Sequence, residues 1–352
     1  MRPAWPAAGG EPPASALIRC QPEDFFVEEL AGFEPSGDGE HAYLYIEKRE
    51  LNTVDVVSRL SELAQVPQRD IGFAGMKDRR AITRQWFSVG LAGRAEPGWQ
   101  QLEATGEIAV LAVARHRRKL RRGSHAGNRF RIILREVQGD RTELQQRLQN
   151  LRTAGAPNYF GEQRFGRDAS TLAAAQRWAR RGGRVSRRLR GLYLSALRAF
   201  LFNELLAPRV ADASWAALEA PGICMLTGSN SYFACESVDE KLRARLACGD
   251  VHPGLPLWGR ASRDDPAPLV QRYTQSLGEN DWIGEFLIDQ GLDMAWRATR
   301  LLPDDFCWQF CDDGRLQIDF ALGAGSYATA LLAEFVRCND GGRMSGNGSE
   351  QG

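Results

Sequence analysis

Strand-like chemistry at both ends of the chain and helical periodicity through its middle predict an α+β protein, a sheet domain interrupted by a helical insertion. Three observations carry this. From Asp24 to Arg135 short apolar runs alternate with glycine-marked turns. From Asp140 to about Leu301 leucines recur at helical spacing. After Pro303 a hairpin pattern returns, so the last strands are expected beside the first. With 352 residues, 43% of them hydrophobic, the chain can bury enough core for two domains or one with a large insertion.

The elements follow in order. Residues 1–15 are rich in Pro, Ala and Gly, and a disordered N-terminus is expected over 1–16, with structure beginning near Ile18. Asp24–Glu29 and His41–Lys48 read as strands, with a turn at Gly37-Asp38-Gly39 between them. Asn52 or Thr53 caps a helix that places Val56, Val57, Leu60 and Leu63 on one face. A short apolar run, Ile71 to Gly75, leads into the charged segment Met76-Lys77-Asp78-Arg79-Arg80, after which Ala81–Val89 is again strand-like. Arg129–Arg135 sets Phe130, Ile132 and Leu134 against Arg129, Arg131 and Arg135, one face for a core and one for solvent or an anion.

Leu144, Leu148 and Leu151, then Leu194, Leu197, Leu201 and Leu205, mark the helical middle. Phe306–Phe310 and Arg315–Leu322 flank Asp312-Asp313-Gly314 as a hairpin. Gly323 to Ser326 then introduces an apolar helix through Leu331, Leu332 and Phe335, and disorder is expected over 339–352.

The charge total conceals its distribution. Lys and Arg number 45 against 44 Asp and Glu, a net of +1. Residues 115–198 alone hold 22 basic and 5 acidic residues, leaving 23 and 39 for the remainder, so +17 faces −16. Arg115 to Arg135 has nine Arg/Lys and no acid, and Arg177 to Arg190 has seven Arg and no acid. Concentrated like charge is self-repelling and is useful mainly when a polyanion neutralises it, which favours nucleic acid as partner. The seven cysteines are odd in number and irregularly spaced, giving no disulfide framework and suggesting a reducing compartment. No apolar run approaches the ~20 residues that span a bilayer, so a cytoplasmic protein with no membrane partner is expected.

Three kinds of segment can carry chemistry. In Gly72 to Arg80 a carboxylate, Asp78, lies among Lys77, Arg79 and Arg80, which are expected to keep it ionised. From the residues alone it is a nucleophile, a general base or a charge-balanced surface group. The basic runs, with Arg117, Arg118, Arg121 and Arg122 in one and Arg187 and Arg188 in the other, suit phosphate contacts. Aromatics beside Asn, Gln and Arg occur at Gly127–Phe130, Asn158–Gly166 and Gly325–Thr329, a composition able to stack on a splayed-out base. No HExxH, GxSxG or GxxxxGK[ST] pattern is present, which speaks against zinc hydrolase, serine hydrolase and P-loop chemistry.

Taken together, EDFFVEEL (23–30), GFAGMKDRRAITRQWFSV (72–89), GNRF (127–130), PNYFGEQRFG (157–166), GLYLSALRAFLFNELL (191–206) and GAGSYATALL (323–332) resemble the TruD family of tRNA pseudouridine synthases. The resemblance covers about residues 17–338. It implies isomerisation of the uridine at position 13 of tRNA, with no metal or organic cofactor. It also implies a pseudouridine-synthase catalytic domain, a largely antiparallel mixed sheet flanked by helices, at 17–154 and 302–338. A mainly helical TruD insertion domain is then expected at 155–301. Carried over, the catalytic aspartate falls on Asp78, and Phe25, Asn128 and Tyr327 fall on substrate-contacting positions. Tyr327 stands where Phe is common in the family, and Arg19 where Lys is. Phe130 and Lys77 complete the expected substrate-binding group, with Phe25, Phe130 and Tyr327 as walls for the base. A monomer without an obligate protein partner is expected. The rival reading is a non-catalytic structured-RNA-binding protein or RNA chaperone using the same basic surface.

Overall fold

A computed structural model describes residues 5–341, and the chain divides into two compact units. The sheet unit comprises Pro13–Leu144, Pro303–Gly325 and the segment from Val336 onward. Its strands are β1 (Ala14–Ile18), β2 (Phe25–Ala31), β3 (His41–Arg49), β4 (Ile71–Phe73), β5 (Ile82–Gly90), β6 (Ile108–His116) and β7 (His125–Gly139). Asp304–Phe310, Leu316–Gly323 and Val336–Asp340 add three more. The main path runs Asp304–Phe310, Leu316–Gly323, β7, β2, β5, β3, β6, while β1 joins Val336–Asp340 to β7 and β4 pairs with β5. Among the described strands of this sheet, only the pairings of β2 with β5 and of β1 with Val336–Asp340 are parallel. The sheet is therefore mixed and largely antiparallel, and the last strands do return to the first.

Helix α1 (Thr53–Ala64) packs on this sheet. Asn52 is its cap, through a reciprocal capping box with Asp55, and Gln65 ends it in the left-handed region at φ 51°. Val56, Val57 and Leu60 are buried in one cluster with Leu44, Ile46, Phe87 and Val89, and Leu63 is half-buried at its margin. Each fully buried aliphatic side chain of this kind contributes roughly 1.5–3 kcal/mol. The helix buries the face that its sequence marks.

The expectations of terminal disorder are corrected for the residues described. Residues 14–18 form a strand because β1 completes its hydrogen bonds with β7 on one side and Val336–Asp340 on the other. Asn339 and Asp340 belong to that outer strand, so order also extends past the point where the C-terminal tail is expected to begin. Trp5 is held within the helical unit, its indole N–H donating to Glu204 and its ring packed on Tyr159 and Phe165. Residues 1–4 and 342–352 lie outside the described residues.

The helical unit comprises the segment through Pro12, Gln145–Leu302 and Ser326–Phe335. Helix α2 (Arg141–Ala154) leads into it. Then come α3 (Ser170–Arg181), α4 (Arg187–Ala211), α5 (Glu240–Ala247), α6 (Ala267–Ser276), α7 (Asp281–Asp289) and α8 (Ala328–Leu332). Its core gathers Leu197, Leu201 and Leu205 of α4 with Trp215, Leu255, Trp258 and Leu287. The middle of the chain is not helical throughout. Tyr232–Cys235, Gly222–Leu226, Val251–Leu257 and Ala295–Ala298 form a four-stranded sheet in that order. Gly222–Leu226 and Val251–Leu257 are buried on both faces, so they carry no alternation that would set them apart from buried helix. No helix among the described residues is long and apolar enough to cross a membrane.

Candidate active site

Asp78 lies in the sheet unit, on the irregular segment between β4 and β5. Such a segment has no ladder for its backbone polar groups, and three side chains supply partners instead. Lys48, fully buried on β3, donates from Nζ to the Leu51 carbonyl at 2.6 Å and to the Asp78 carbonyl at 2.8 Å. Thr53 Oγ1 accepts the Lys77 N–H at 2.9 Å, and Gln85 Nε2 donates to the Gly75 carbonyl at 3.0 Å. Thr53 Oγ1 in turn donates to Gln85 Oε1 at 3.2 Å. Burial lowers the Lys48 ammonium to about 8, with Asp78 and Asp55 opposing the shift and Lys77 adding to it.

The Lys77 side chain turns inward. Its Nζ donates to Asn128 Oδ1 at 2.6 Å and lies 3.0 Å from Oε2 of Glu29, whose side chain is fully buried. Glu29 and Asn128 face each other across the β2–β7 pairing, so a single lysine reaches both. A Cβ at Gly75 would sit 3.5 Å from Lys77 Nζ, 3.7 Å from His125 Cε1 and 3.8 Å from Glu29 Oε2, which places all three groups together. The His125 imidazole is pushed down by burial and by the Lys77 charge, with Glu29 opposing.

The Asp78 carboxylate faces solvent, its side chain 44% exposed. Its ion-pair partner is Arg19, at 3.3 Å. Arg19 has φ 59°, a left-handed conformation, and its guanidinium lies 4.1 Å from the ring centroid of Phe25 at the start of β2. This corrects the expectation that Lys77, Arg79 and Arg80 hold Asp78. Arg79 donates to the Glu50 carbonyl and Arg80 pairs with Asp340, because consecutive side chains leave the segment in different directions.

Phe25 and Phe130, expected as walls for a base, are both buried. Phe25 is 2% exposed and Phe130 8%. Phe130 stacks on Phe320 at 5.1 Å between centroids and makes an edge contact with Phe25 at 6.4 Å. Phe25 is the ring that lies under the Arg19 guanidinium. Tyr327 belongs to the helical unit, where its hydroxyl accepts from Arg164 and its ring lies 6.0 Å from Phe160. Arg297 stacks on Phe160 at 4.2 Å and donates to Asn158 Oδ1 at 2.6 Å, so the Asn158–Gly166 motif gathers around the same rings.

The first basic run follows the Asp78 segment in space. Gly123 N–H donates to the Ala74 carbonyl and Leu120 N–H to Ser88 Oγ, both at 2.9 Å. Arg117 is held by both carboxylate oxygens of Asp38, and Arg122 lies 3.6 Å over the ring of Phe73. Arg118 and Arg121 are exposed. Arg187 and Arg188 are exposed in the first turn of α4, in the helical unit.

A family described as tRNA pseudouridine synthase D (TruD) matches residues 8–174 and 169–335, which together span most of the chain. The chain belongs to the TruD family. It is similar to the tRNA pseudouridine synthase D of Nitrosococcus oceani, at 44% identity over 340 residues, covering 95% of this TruD chain and 94% of the relative. It is likewise 44% identical to that of Methylococcus capsulatus over 332 residues, covering 94% of each. Among solved structures, a putative tRNA pseudouridine synthase D (TruD) from Methanosarcina mazei is similar, with a TM-score of 0.69 over 95% of this chain and 96% of that one. At 20% identity that likeness speaks for the fold alone.

Sequence reasoning missed Lys48, Glu29, Thr53, Gln85 and His125 in this TruD chain. A signal for two of them was present. Strand alternation puts Lys48 on the face of Ala42, Leu44 and Ile46, and Glu29 on the face of Phe25 and Val27. A charged residue at an inward strand position is costly unless it is paired, and such positions mark a site.

Proposed function

We propose that Asp78 is the catalytic carboxylate with which this tRNA pseudouridine synthase isomerises uridine 13. The observation that carries the reading is the treatment of Asp78: its backbone carbonyl is fixed by a buried ammonium while its carboxylate is left open beside Arg19. Family membership supplies the reaction class. The N1–C1′ bond of uridine breaks, the uracil rotates, a C5–C1′ bond forms, and the proton leaving C5 is balanced by one gained at N1.

A carboxylate beside the sugar can attack C1′ or remove the C2′ proton, and Asp78 has the exposure either step requires. Extruding the base costs a few kcal/mol and is offset by stacking. The Arg19 guanidinium plane, backed by Phe25, offers that surface, and Tyr327 is assigned to the same substrate by its motif. Lys77 positions Asn128 by holding its Oδ1, which directs the Nδ2 hydrogens to an acceptor such as a uracil carbonyl. Arg117, Arg118, Arg121 and Arg122, with Arg187 and Arg188, are assigned to the tRNA backbone.

We assign catalysis to 17–154 and 302–338 and the insertion to 155–301; the compact units follow this division except that residues 145–154, Leu302 and Ser326–Phe335 group with the helical unit. The enzyme is taken to act as a cytoplasmic monomer, and no step above calls on a cofactor. The test is single-turnover conversion of tRNA by wild-type and Asp78→Asn protein, read by carbodiimide mapping of pseudouridine. The wild type should convert position 13 and the variant should not. Normal conversion by the variant overturns the assignment of Asp78, and no conversion by the wild type overturns the activity.

A further inference from the structure

A cavity in the sheet unit, of about 340 Å³, has Gly32, Phe33, Tyr43, His116, Arg118 and Arg121 among its lining residues. We infer that it is a binding cleft for a second, unstacked nucleotide of the RNA substrate. The inference rests on the RNA reading above and extends it to a place and a ligand chemistry.

The walls are aromatic. Phe33, Tyr43 and His116 are mutually in contact, with centroids 5.4 Å apart for Phe33 and Tyr43, 4.8 Å for Tyr43 and His116 and 6.1 Å for Phe33 and His116. Tyr43 is 2% exposed and its hydroxyl donates to the Arg118 carbonyl, whereas Phe33 and His116 are half-buried and present ring surface. His116 Nδ1 accepts the Ser36 N–H, which leaves Nε2 as the ring's donor. Rings of this kind stack on any base.

The rim is cationic and unmatched by acid. Within the run, Arg115 pairs with Glu96 and Arg117 with Asp38, while Lys119 donates to the Arg69 carbonyl and Arg122 covers Phe73. The Arg118 and Arg121 side chains have no acidic partner among the described residues, and no lining residue is acidic. Of the six cations from Arg115 to Arg122, the two left uncommitted are therefore the two exposed arginines at this cleft. Aromatic walls with free guanidinium groups at the rim match a base with its phosphate.

The cleft does not include the Asp78 carboxylate. Neither Asp78 nor its partner Arg19 lines it; Gly32 lies just beyond β2, whereas Phe25, beneath the Arg19 guanidinium, begins β2, and seven strand residues span roughly 20 Å. The uridine that reacts beside Asp78 and the nucleotide in this cleft are different residues of one RNA.

The experiment measures tRNA affinity against salt concentration for full-length wild-type and variant proteins, with pseudouridine formation by the wild type followed in parallel. Phe33→Ala should weaken binding about 5- to 100-fold and leave the salt slope unchanged, since it removes a stack and no charge. Arg118→Ser combined with Arg121→Ser should flatten the slope of log affinity against log salt by about 1.4–1.8. Wild-type affinity for Phe33→Ala, or an unchanged slope for the double variant, overturns the cleft. Should Phe33→Ala fold poorly, Phe33→Leu keeps the apolar bulk without the ring, and the exposed arginine pair still decides. A wild-type protein that binds tRNA but makes no pseudouridine overturns the proposed activity and leaves the affinity comparison to judge the cleft.

Discussion

Replacing Lys48 with Met should impair catalysis far more than stability. The side chain is fully buried, and its ammonium donates to the carbonyls of Leu51 and Asp78. Burial has lowered its pKa from 10.5 to about 8, so relief of that penalty is worth about 3 kcal/mol to the Met variant. Against this, two carbonyls lose their donor, at about 1–3 kcal/mol each. The two effects nearly cancel, and the variant should melt within a few degrees of the wild type.

With Asp78 as the proposed catalytic carboxylate, catalysis has no such compensation. With its carbonyl released, Asp78 is no longer fixed in place, and a displacement of about 1 Å costs on the order of 100-fold in rate. Release of tritium from C5-labelled uridine in tRNA, under single turnover, should therefore fall about 10- to 100-fold, with the half-saturating tRNA concentration unchanged. The pH dependence gives an independent check. The folded-state pKa of Lys48 lies below its unfolded value, so the unfolded chain binds more protons between them and wild-type stability rises from about pH 8 to 10.5. The Met variant should lack this rise. A full catalytic rate in Lys48→Met would refute the positioning role, and a loss expressed only as weaker tRNA binding would refute the geometry behind it.

Two further outcomes concern other buried charges. Lys77→Met leaves the Glu29 carboxylate buried without its cation and should lower stability by roughly 3–5 kcal/mol, most of it regained when Glu29→Gln is added; urea unfolding of the single and double variants checks the coupling. Glu334 is buried and its carboxyl is pushed up to about 7, although it accepts the Ala8 and Gly9 N–H groups. A folded pKa above the unfolded one means that its contribution is full below about pH 4.5 and is lost as pH rises to about 7. Wild-type stability, read from urea midpoints across that window, should fall by about 3 kcal/mol on this account, and Glu334→Gln should lack the fall.

The legible parts of this fold are those written in local pattern. α1 is readable because Asn52, the apolar stripe and the chain reversal at Gln65 all lie within a few turns. The hairpin at Asp312–Gly314 is readable because its turn and both strands are contiguous, with Gly314 at φ 78°. β6 escapes because it is an edge strand whose Leu111 and Val113 are exposed, which blurs the alternation. At the site, Asp78 and Asn128 sit in motifs, but the Arg19 pairing spans 59 residues and depends on the strand order. The burial of Lys48 and Glu29 becomes visible only once the inward faces of β3 and β2 are known.

The route of the chain has a consequence for how the molecule forms. It passes between the two units after Pro12, Leu144, Leu302, Gly325 and Phe335, and each unit is built from three separated stretches. β7 cannot complete its pairing until Leu316–Gly323 has been made, and β1 gains its parallel partner only from Val336–Asp340. During synthesis the early strands must wait, with exposed edges, for most of the sequence to emerge. Closing such long loops late makes folding slow, and it ties the integrity of the Asp78 surroundings to the final strands of the chain.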